Sequence, residues 1–524
     1  MANISFYGSH NSAVVVEDQG KIVTVVEVER FLNKKNAGYG QYMTSRTRPF
    51  LLKEIVQWIK KTYGIDQYEN CYYLNSDTIE DSNLVFYHEL IPAKNYVSCL
   101  HHLSHAACGF YQSSYDKALI ISFDGGGNDG FFNIYVAEDR KTIKEIDRLG
   151  IDLGFPYMSF GHYLHDIKME PDLSIGNLVY SGKIMGLCSY GNVREPWLEH
   201  FKAYYRAKPD GNNYIQHLTN LGNQISVSFN TSERLKEQIA WDIAKTSQIA
   251  FEEVFLELVR PYLEKYSDLP LVLVGGCALN ILLNTRLKNE LRQDVFVPPN
   301  PNDCGIAAGM MLYYTKPEQP VDLTYKGVPI LDKDLIMSYC EDDWSSNPVD
   351  IKAIANDLIH QKIVGVARGN SEHGPRALGN RSILCNPASP NMKDVLNSKV
   401  KNREWYRPFA PVVRLEDVST YFNFQGESRW MCFCPTVKEE WKDKLASITH
   451  VDGTARVQTV TREQNEFLYD LLTEFKNKTG IGVLLNTSFN VDGRPILSTV
   501  RDAMKVYKET QMDCLVLENY YFRK

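Results

Sequence analysis

No apolar run in the 524 residues approaches the roughly 18 that a membrane-spanning helix needs, so a membrane protein is not expected. The opening residues, MANISFYGSHNSAVVV, lack the basic-then-apolar plan of a secretory leader. The 11 cysteines are scattered, with no CxxC pair and no regular spacing, and are expected to be reduced and buried. Positive charge is not in excess either. The 57 Lys and Arg against 64 Asp and Glu leave a net charge of −7, which argues against an overall polyanion-binding surface but leaves room for a local basic cleft. Together these absences point to a cytoplasmic protein. What is present is an ordinary globular composition, 44% hydrophobic and 23% charged, on a chain long enough for two or more cored domains.

Histidine is scarce, at 12, yet three fall in CLHHLSHAAC at 99–108. His101 and His105 are spaced i, i+4, so a helix over Leu103–Ser113 carries both imidazoles on one face of its first turn, with His102 pointing elsewhere. The spacing suits two neutral nitrogens on a metal, but taken alone it is more often a hydrogen-bonded histidine pair. Asp124 ends an apolar strand, and Asp303 precedes GIAAG in a Pro/Asn loop; each alone reads as a turn former or an N-cap. As a set the four give N2O2 coordination, suited to iron(II), manganese or zinc rather than magnesium or calcium.

Residues 4–28 (ISFYGSHNSAVVVEDQGKIVTVVEV) and 121–145 (ISFDGGGNDGFFNIYVAEDRKTIKE) share a strand, Gly-turn, strand, turn, strand order. Such duplication is the plan of actin-like and sugar-kinase ATPases. LPLVLVGGCALNILLNTRLKNEL at 269–291 reads as a buried strand, a Gly-Gly turn and a helix that lets amides approach an anion. Residues 315–350 have weaker periodicity and read as a domain connection. The expected division is 1–345 and 346–524, each α/β. The second half concentrates Arg376, Arg381, Lys399, Lys401, Arg403, Arg407 and Arg456 in loops among Gly, Pro and polar residues, with Asn486 and Ser488 in LLNTSFN. That context favours convergence on phosphate or carboxylate groups. Nucleic-acid binding would want a basic stripe with interleaved aromatics; Trp405 and Tyr406 keep that alternative open.

The motifs HHLSHAACGF, ISFDGGGNDG, SGKIMGLCSYG, VGGCALNILLN, PNDCGIAAG, EHGPRALGNRSIL, REWYRPFAP, THVDGTARVQTV and LLNTSFNVDGRPI, in this order, resemble the ATP-dependent O-carbamoyltransferases. The resemblance implies an N-terminal actin-like ATPase domain, a duplicated ribonuclease-H-like fold, and a C-terminal YrdC-like α/β domain. It implies an enzyme that joins carbamoyl phosphate and ATP, with magnesium, into carbamoyl-adenylate and passes the carbamoyl group to a hydroxyl of a small-molecule acceptor. By resemblance His101, His105, Asp124 and Asp303 hold a divalent metal, iron(II) first among the candidates. Arg376, Lys401, Arg407, Arg456, Asn486 and Ser488 form the adenylate pocket. Gly125, Gly126, Gly127, Lys183, Gly275, Gly276 and Asn280 contact a nucleotide in the first domain, and His10 stands beside the acceptor, with Arg376 and Lys401 as the other catalytic candidates. Asn11 stands where an acidic residue is common, and His373 where an aromatic is frequent. The acceptor is expected among 33–48 and 154–182. Three other readings remain open at this level: the same chemistry on a hydroxymethylated nucleobase or nucleotide, a sugar-kinase-like phosphotransferase, and a non-catalytic ATP-dependent assembly partner that binds metal and nucleotide without consuming carbamoyl phosphate. A homodimer is the base-rate expectation.

Overall fold

The computed structural model describes residues 1–37, 48–74, 90–169, 173–207, 214–291, 294–340, 345–491 and 493–524. Strands β1 (Ala2–Tyr7), β2 (Ala13–Asp18) and β3 (Lys21–Glu27) form an antiparallel meander, to which β4 (Tyr68–Tyr73) and β5 (Ala93–Ser98) add in parallel beside β1. Strands β6 (Ala118–Gly127), β7 (Gly130–Asp139), β8 (Thr142–Leu149), β9 (Leu271–Val274) and β10 (Val295–Phe296) repeat the same order and directions. The two segments that resemble each other in sequence therefore build equivalent 3-2-1-4-5 sheets, the ribonuclease-H-like plan in duplicate. Val14, Val16 and Val26 bury one face of the first sheet while Val15 and Val25 bury the other, as alternation along a strand covered on both sides requires.

Two helices, His101–Gln112 and Ile306–Thr315, pack between the sheets through Ala106, Ala107, Ala307 and Ala308. Their backbones touch at Gly309, where a Cβ would overlap the Ser104 carbonyl oxygen. This close approach sets Asp303, just before the second helix, against the first turn of the other. The first helix begins at His101, two residues before the expected start. The turn after β6 caps it: Asn128 Oδ1 accepts from His101 N at 3.0 Å, and Asp129 accepts from the amides of His102 and Leu103.

The last third of the chain forms a mixed eight-stranded sheet. Its strands are β11 (Ser345–Pro348), β12 (Val364–Ala367), β13 (Arg381–Cys385), β14 (Ala410–Arg414), β15 (Gln458–Val460), β16 (Val483–Ser488), β17 (Cys514–Leu517) and β18 (Tyr520–Arg523), in the order β11-β18-β17-β12-β13-β16-β14-β15. The segment expected to connect the halves is laced to the second half: Gly327 N donates to Ser371 O and Leu331 N to Ser498 O. No helix among the described residues is long and apolar enough to cross a membrane.

Candidate metal centre and anion pocket

The four residues singled out around the histidine cluster converge. His101 Nε2 and His105 Nε2 are 3.2 Å apart. His105 Nε2 lies 3.3 Å from Asp124 Oδ2 and 3.5 Å from Asp303 Oδ1, and His101 Nε2 lies 3.8 Å from Asp303 Oδ1. One ligand atom from each side chain falls within 4.8 Å of every other. Donors bonded at about 2.1 Å to one tetrahedral or octahedral ion sit roughly 3.0–3.4 Å apart, so the set needs only small adjustments to share an ion. His102 is excluded by its own bonds, to Ser122 Oγ and the Gly130 carbonyl; burial, then His101, pushes it down to about 3.

Each carboxylate is held by a local cause. Asp124 accepts from Gly125 N at 2.6 Å and from Gly276 N at 2.5 Å. Asp303 lies at the start of a helix, where the dipole favours its charge. Burial works against that charge, but His10, His101 and His105 outweigh it and hold Asp303 well below the usual carboxylate range. Asp303 Oδ2 also takes the Tyr7 hydroxyl at 2.6 Å and faces His10 Nε2 at 3.3 Å. Burial, then Asp303, keeps Tyr7 protonated. Oδ1 is the oxygen left for the histidine side.

His105 carries a pH signature. Burial alone would lower it, but its bonds to Asp124 and Asp303 push it up to about 9 from 6.5. A raised folded value contributes stability in full below about 6.5 and loses it as pH rises through about 9. The metal-free protein is expected to lose about 3 kcal/mol across that window, measurable as a falling Tm. Metal binding is expected to release this proton near neutral pH, read by calorimetry in buffers of different ionisation enthalpy. A flat Tm and no proton release would contradict the assignment.

Gly127 packs flat under the His101 ring, which a Cβ there would strike. Gly127→Ala is therefore expected to swing His101 out of the cluster, weakening metal binding about 10–100-fold, the range for loss of ligand support, at a stability cost of about 1–3 kcal/mol.

Of the seven loop cations expected to converge, Arg376, Lys401, Arg403, Arg407 and Arg456 line one cavity of about 410 Å³, whereas Lys399 is not among its lining residues and Arg381 is buried elsewhere, donating to the carbonyls of Arg368 and Gly369. Arg376, Lys401, Arg407, Arg456, Asn486 and Ser488 all line it, together with His10, Asp124 and Asp303. Burial, then the guanidiniums of Arg376 and Arg407, drives Arg456 well below the guanidinium range; burial likewise lowers Arg376. Among the described residues no carboxylate pairs with Arg376 or Arg456. Lys401 donates to Ser488 O at 2.6 Å and Asn490 O at 2.8 Å, tying the loop after β16. Asn486 Nδ2 donates to Ala377 O and Gln458 Oε1, and its buried Oδ1 has no partner. Mutually repelling, desolvated cations with an unfilled acceptor beside them suit a phosphate-bearing ligand that also carries an N–H donor.

Residues 79–312 match the family model "Carbamoyltransferase N-terminus" and residues 355–524 match "Carbamoyltransferase C-terminus". The nodulation protein NolO of Bradyrhizobium diazoefficiens is 34% identical over 444 residues, covering 81% of this chain and 78% of that protein. This chain belongs to the carbamoyltransferase family. The nodulation protein NolNO of Sinorhizobium fredii is also 34% identical, over 447 residues, and there the match covers 81% of this chain but only 63% of the relative. Among solved structures, full-length HypF in a phosphate- and nucleotide-bound form aligns with a TM-score of 0.37 and 15% identity, over 60% of this chain and 46% of that one.

The fold places the remaining candidates unevenly. Gly125, Gly276 and Asn280 line the cavity, whereas Gly126, Gly127, Gly275 and Lys183 are not among its lining residues. Asn280 also caps the helix Ile281–Glu290 and pairs with Gln248. Lys183 is paired with Glu404 at 2.9 Å. Of the segments expected to meet the acceptor, 38–47 and 170–172 lie outside the described residues, and Lys35, Asn36, Gly154, Tyr157 and Met158 line the cavity. Tyr406 is buried and Trp405 stacks edge-on against Tyr190, so these two aromatics pack the seam between the halves. Sequence reasoning passed over Tyr7, Glu27, Arg494 and Glu404. Glu27 lines the cavity beside Arg30, and burial pushes it up to about 8. His373 is buried and accepts from Asn300 Nδ2, while its other nitrogen donates to the Cys304 carbonyl next to Asp303, joining the Arg376 loop to the metal loop.

Proposed function

We propose that the chain forms carbamoyl-adenylate from carbamoyl phosphate and ATP at its arginine cluster and transfers the carbamoyl group to a hydroxyl of a small-molecule acceptor beside His10. The observation that carries this reading is that one cavity is lined both by Arg376, Arg407 and Arg456 and by His10, Asp124 and Asp303. Carbamoyl phosphate loses phosphate to water, and the carbamate oxygen attacks the α-phosphorus of ATP and expels pyrophosphate. Three guanidiniums offset the repulsion that bringing these anions together entails. Asn486 Oδ1 accepts from the carbamoyl amino group, which gives a buried orphan acceptor its partner.

Beside His10, the cluster of His101, His105, Asp124 and Asp303 would hold a divalent ion, iron(II), manganese or zinc, which supplies positive charge against the phosphate of departing AMP. Asp303 Oδ2 orients His10 through Nε2, and Nδ1, which faces Asn11 Oδ1 at 3.3 Å, takes the acceptor's proton once the acceptor hydroxyl displaces that contact, the carboxylate stabilising the imidazolium that results. The hydroxyl oxygen then takes the carbamoyl carbon and AMP leaves.

Incubation with ATP, labelled carbamoyl phosphate and a metabolite extract tests the reading. AMP, pyrophosphate and a carbamoylated product are expected; ADP with a phosphorylated product would give the sugar-kinase alternative instead. A carbamoylated hydroxymethyl base or nucleotide would keep the chemistry and change the acceptor.

A further inference from the structure

Lys183 and Glu404 form a buried ion pair across the seam, each 4% exposed, with Nζ 2.9 Å from Oε1. The backbone of Lys168 brackets the pair: its N–H approaches Oε1 at 3.3 Å and its carbonyl accepts from the ammonium at 3.2 Å. The second oxygen, Oε2, faces Arg407 Nη1 at 3.5 Å, and Arg407 lines the anion pocket. Glu404 thus commits one oxygen to the first half of the chain and turns the other toward a pocket cation.

We propose that Lys183 and Glu404 are positioning residues that set how freely Arg407 reaches an incoming phosphate group. A carboxylate shared between two cations holds each less tightly than it would hold either alone. With Lys183 drawing the charge to its own side, Arg407 stays at a long, weak distance and remains free for ligand. Without Lys183, a buried carboxylate has to be met by Arg407, because an uncompensated buried charge is strongly unfavourable; the arginine is then withdrawn from the cavity. Without Glu404, Arg407 is left among like charges and turns to the ligand. The pairing makes Lys183 part of the anion pocket's tuning from a helix that belongs to the other half.

The inference rests on the proposed function only for the identity of the anion, so inorganic pyrophosphate serves as the probe, titrated calorimetrically into the full chain. Lys183→Met is expected to weaken binding roughly tenfold, in the range of coupled neighbours; Glu404→Gln is expected to bind as well as the parent or better. The deciding comparison is the double variant: in the Glu404→Gln background, Lys183→Met should change nothing, because Lys183 acts through Glu404. A simple through-space loss of positive charge would persist there undiminished and would overturn the proposal, as would parental affinity in Lys183→Met. Lys183→Arg keeps the pair and should restore parental affinity; Lys183→Gln, which still donates without charge, gives a second reading should the Met variant not fold, and should fall between. Coupling in pyrophosphate binding without AMP formation would leave the triad standing and remove carbamoyl-adenylate. AMP formation with additive variants would do the reverse.

Discussion

His101→Ala and Asp303→Asn are each expected to leave adenylate formation within about twofold while cutting carbamoyl transfer roughly 10²–10³-fold, the usual loss when one group stabilising developing charge is removed. The reason is geometric separation within a shared cavity. His101 opens one of the two helices pressed between the first two sheets and Asp303 lies just before the other, whereas the pocket arginines sit on loops of the third sheet. Removing one of four donors that lie within 4.8 Å of one another leaves three, and the ion's affinity falls with them. Asp303→Asn acts twice, since the same carboxylate also holds Tyr7 and His10. Carbamate-dependent exchange of labelled pyrophosphate into ATP follows the first step, labelled product follows the second, and elemental analysis follows the metal. Unchanged metal content with lost transfer would move these residues from ion binding to acceptor positioning.

Arg456→Gln is expected to show the opposite pattern, with pyrophosphate exchange falling roughly 10²–10³-fold and transfer from supplied carbamoyl-adenylate largely retained. Arg456 is the most strained cation of the pocket, desolvated and pressed by Arg376 and Arg407, so a polyanion gains most from meeting it. The same strain predicts that metal-free, ligand-free Arg456→Gln is no less stable than the parent, because removing one of three repelling charges costs the empty pocket little. Lys401→Ala should lose the same step, but through a different route: it also releases the Ser488 and Asn490 carbonyls that its ammonium ties down. Equal loss of both steps in Arg456→Gln would mean that one site, not two, performs the chemistry.

Some of this was written plainly in short stretches of sequence. The i, i+4 histidines share a helix face whatever surrounds the helix, because 3.6 residues per turn is a local property. The two ISFxG units announced matching meanders because alternation and glycine turns are read within about 25 residues. Loop arginines among Gly and Pro pointed to convergence by residue chemistry, and Arg376, Arg407 and Arg456 line one cavity. Lys183 illustrates the opposite case. In sequence it is a lone lysine on an apolar helix, and nothing near it announces Glu404, more than two hundred positions away. Tyr7 looks like a strand tyrosine until Asp303, nearly three hundred positions later, meets its hydroxyl.

Local periodicity, turn chemistry and the kinds of side chain available were therefore determined by the sequence alone, and with them the two duplicated sheets, the histidine face and the cationic loops. Tertiary structure decided which distant groups meet. It brought Asp303 to the histidines through a glycine-tight helix contact and Asp124 to them on β6, turned His102 away, and put residues of both halves around one cavity. It also gave Lys183 a partner across the seam. Those outcomes depend on packing and burial between segments remote in the chain, and no local pattern encodes the distance between atoms that only folding brings together.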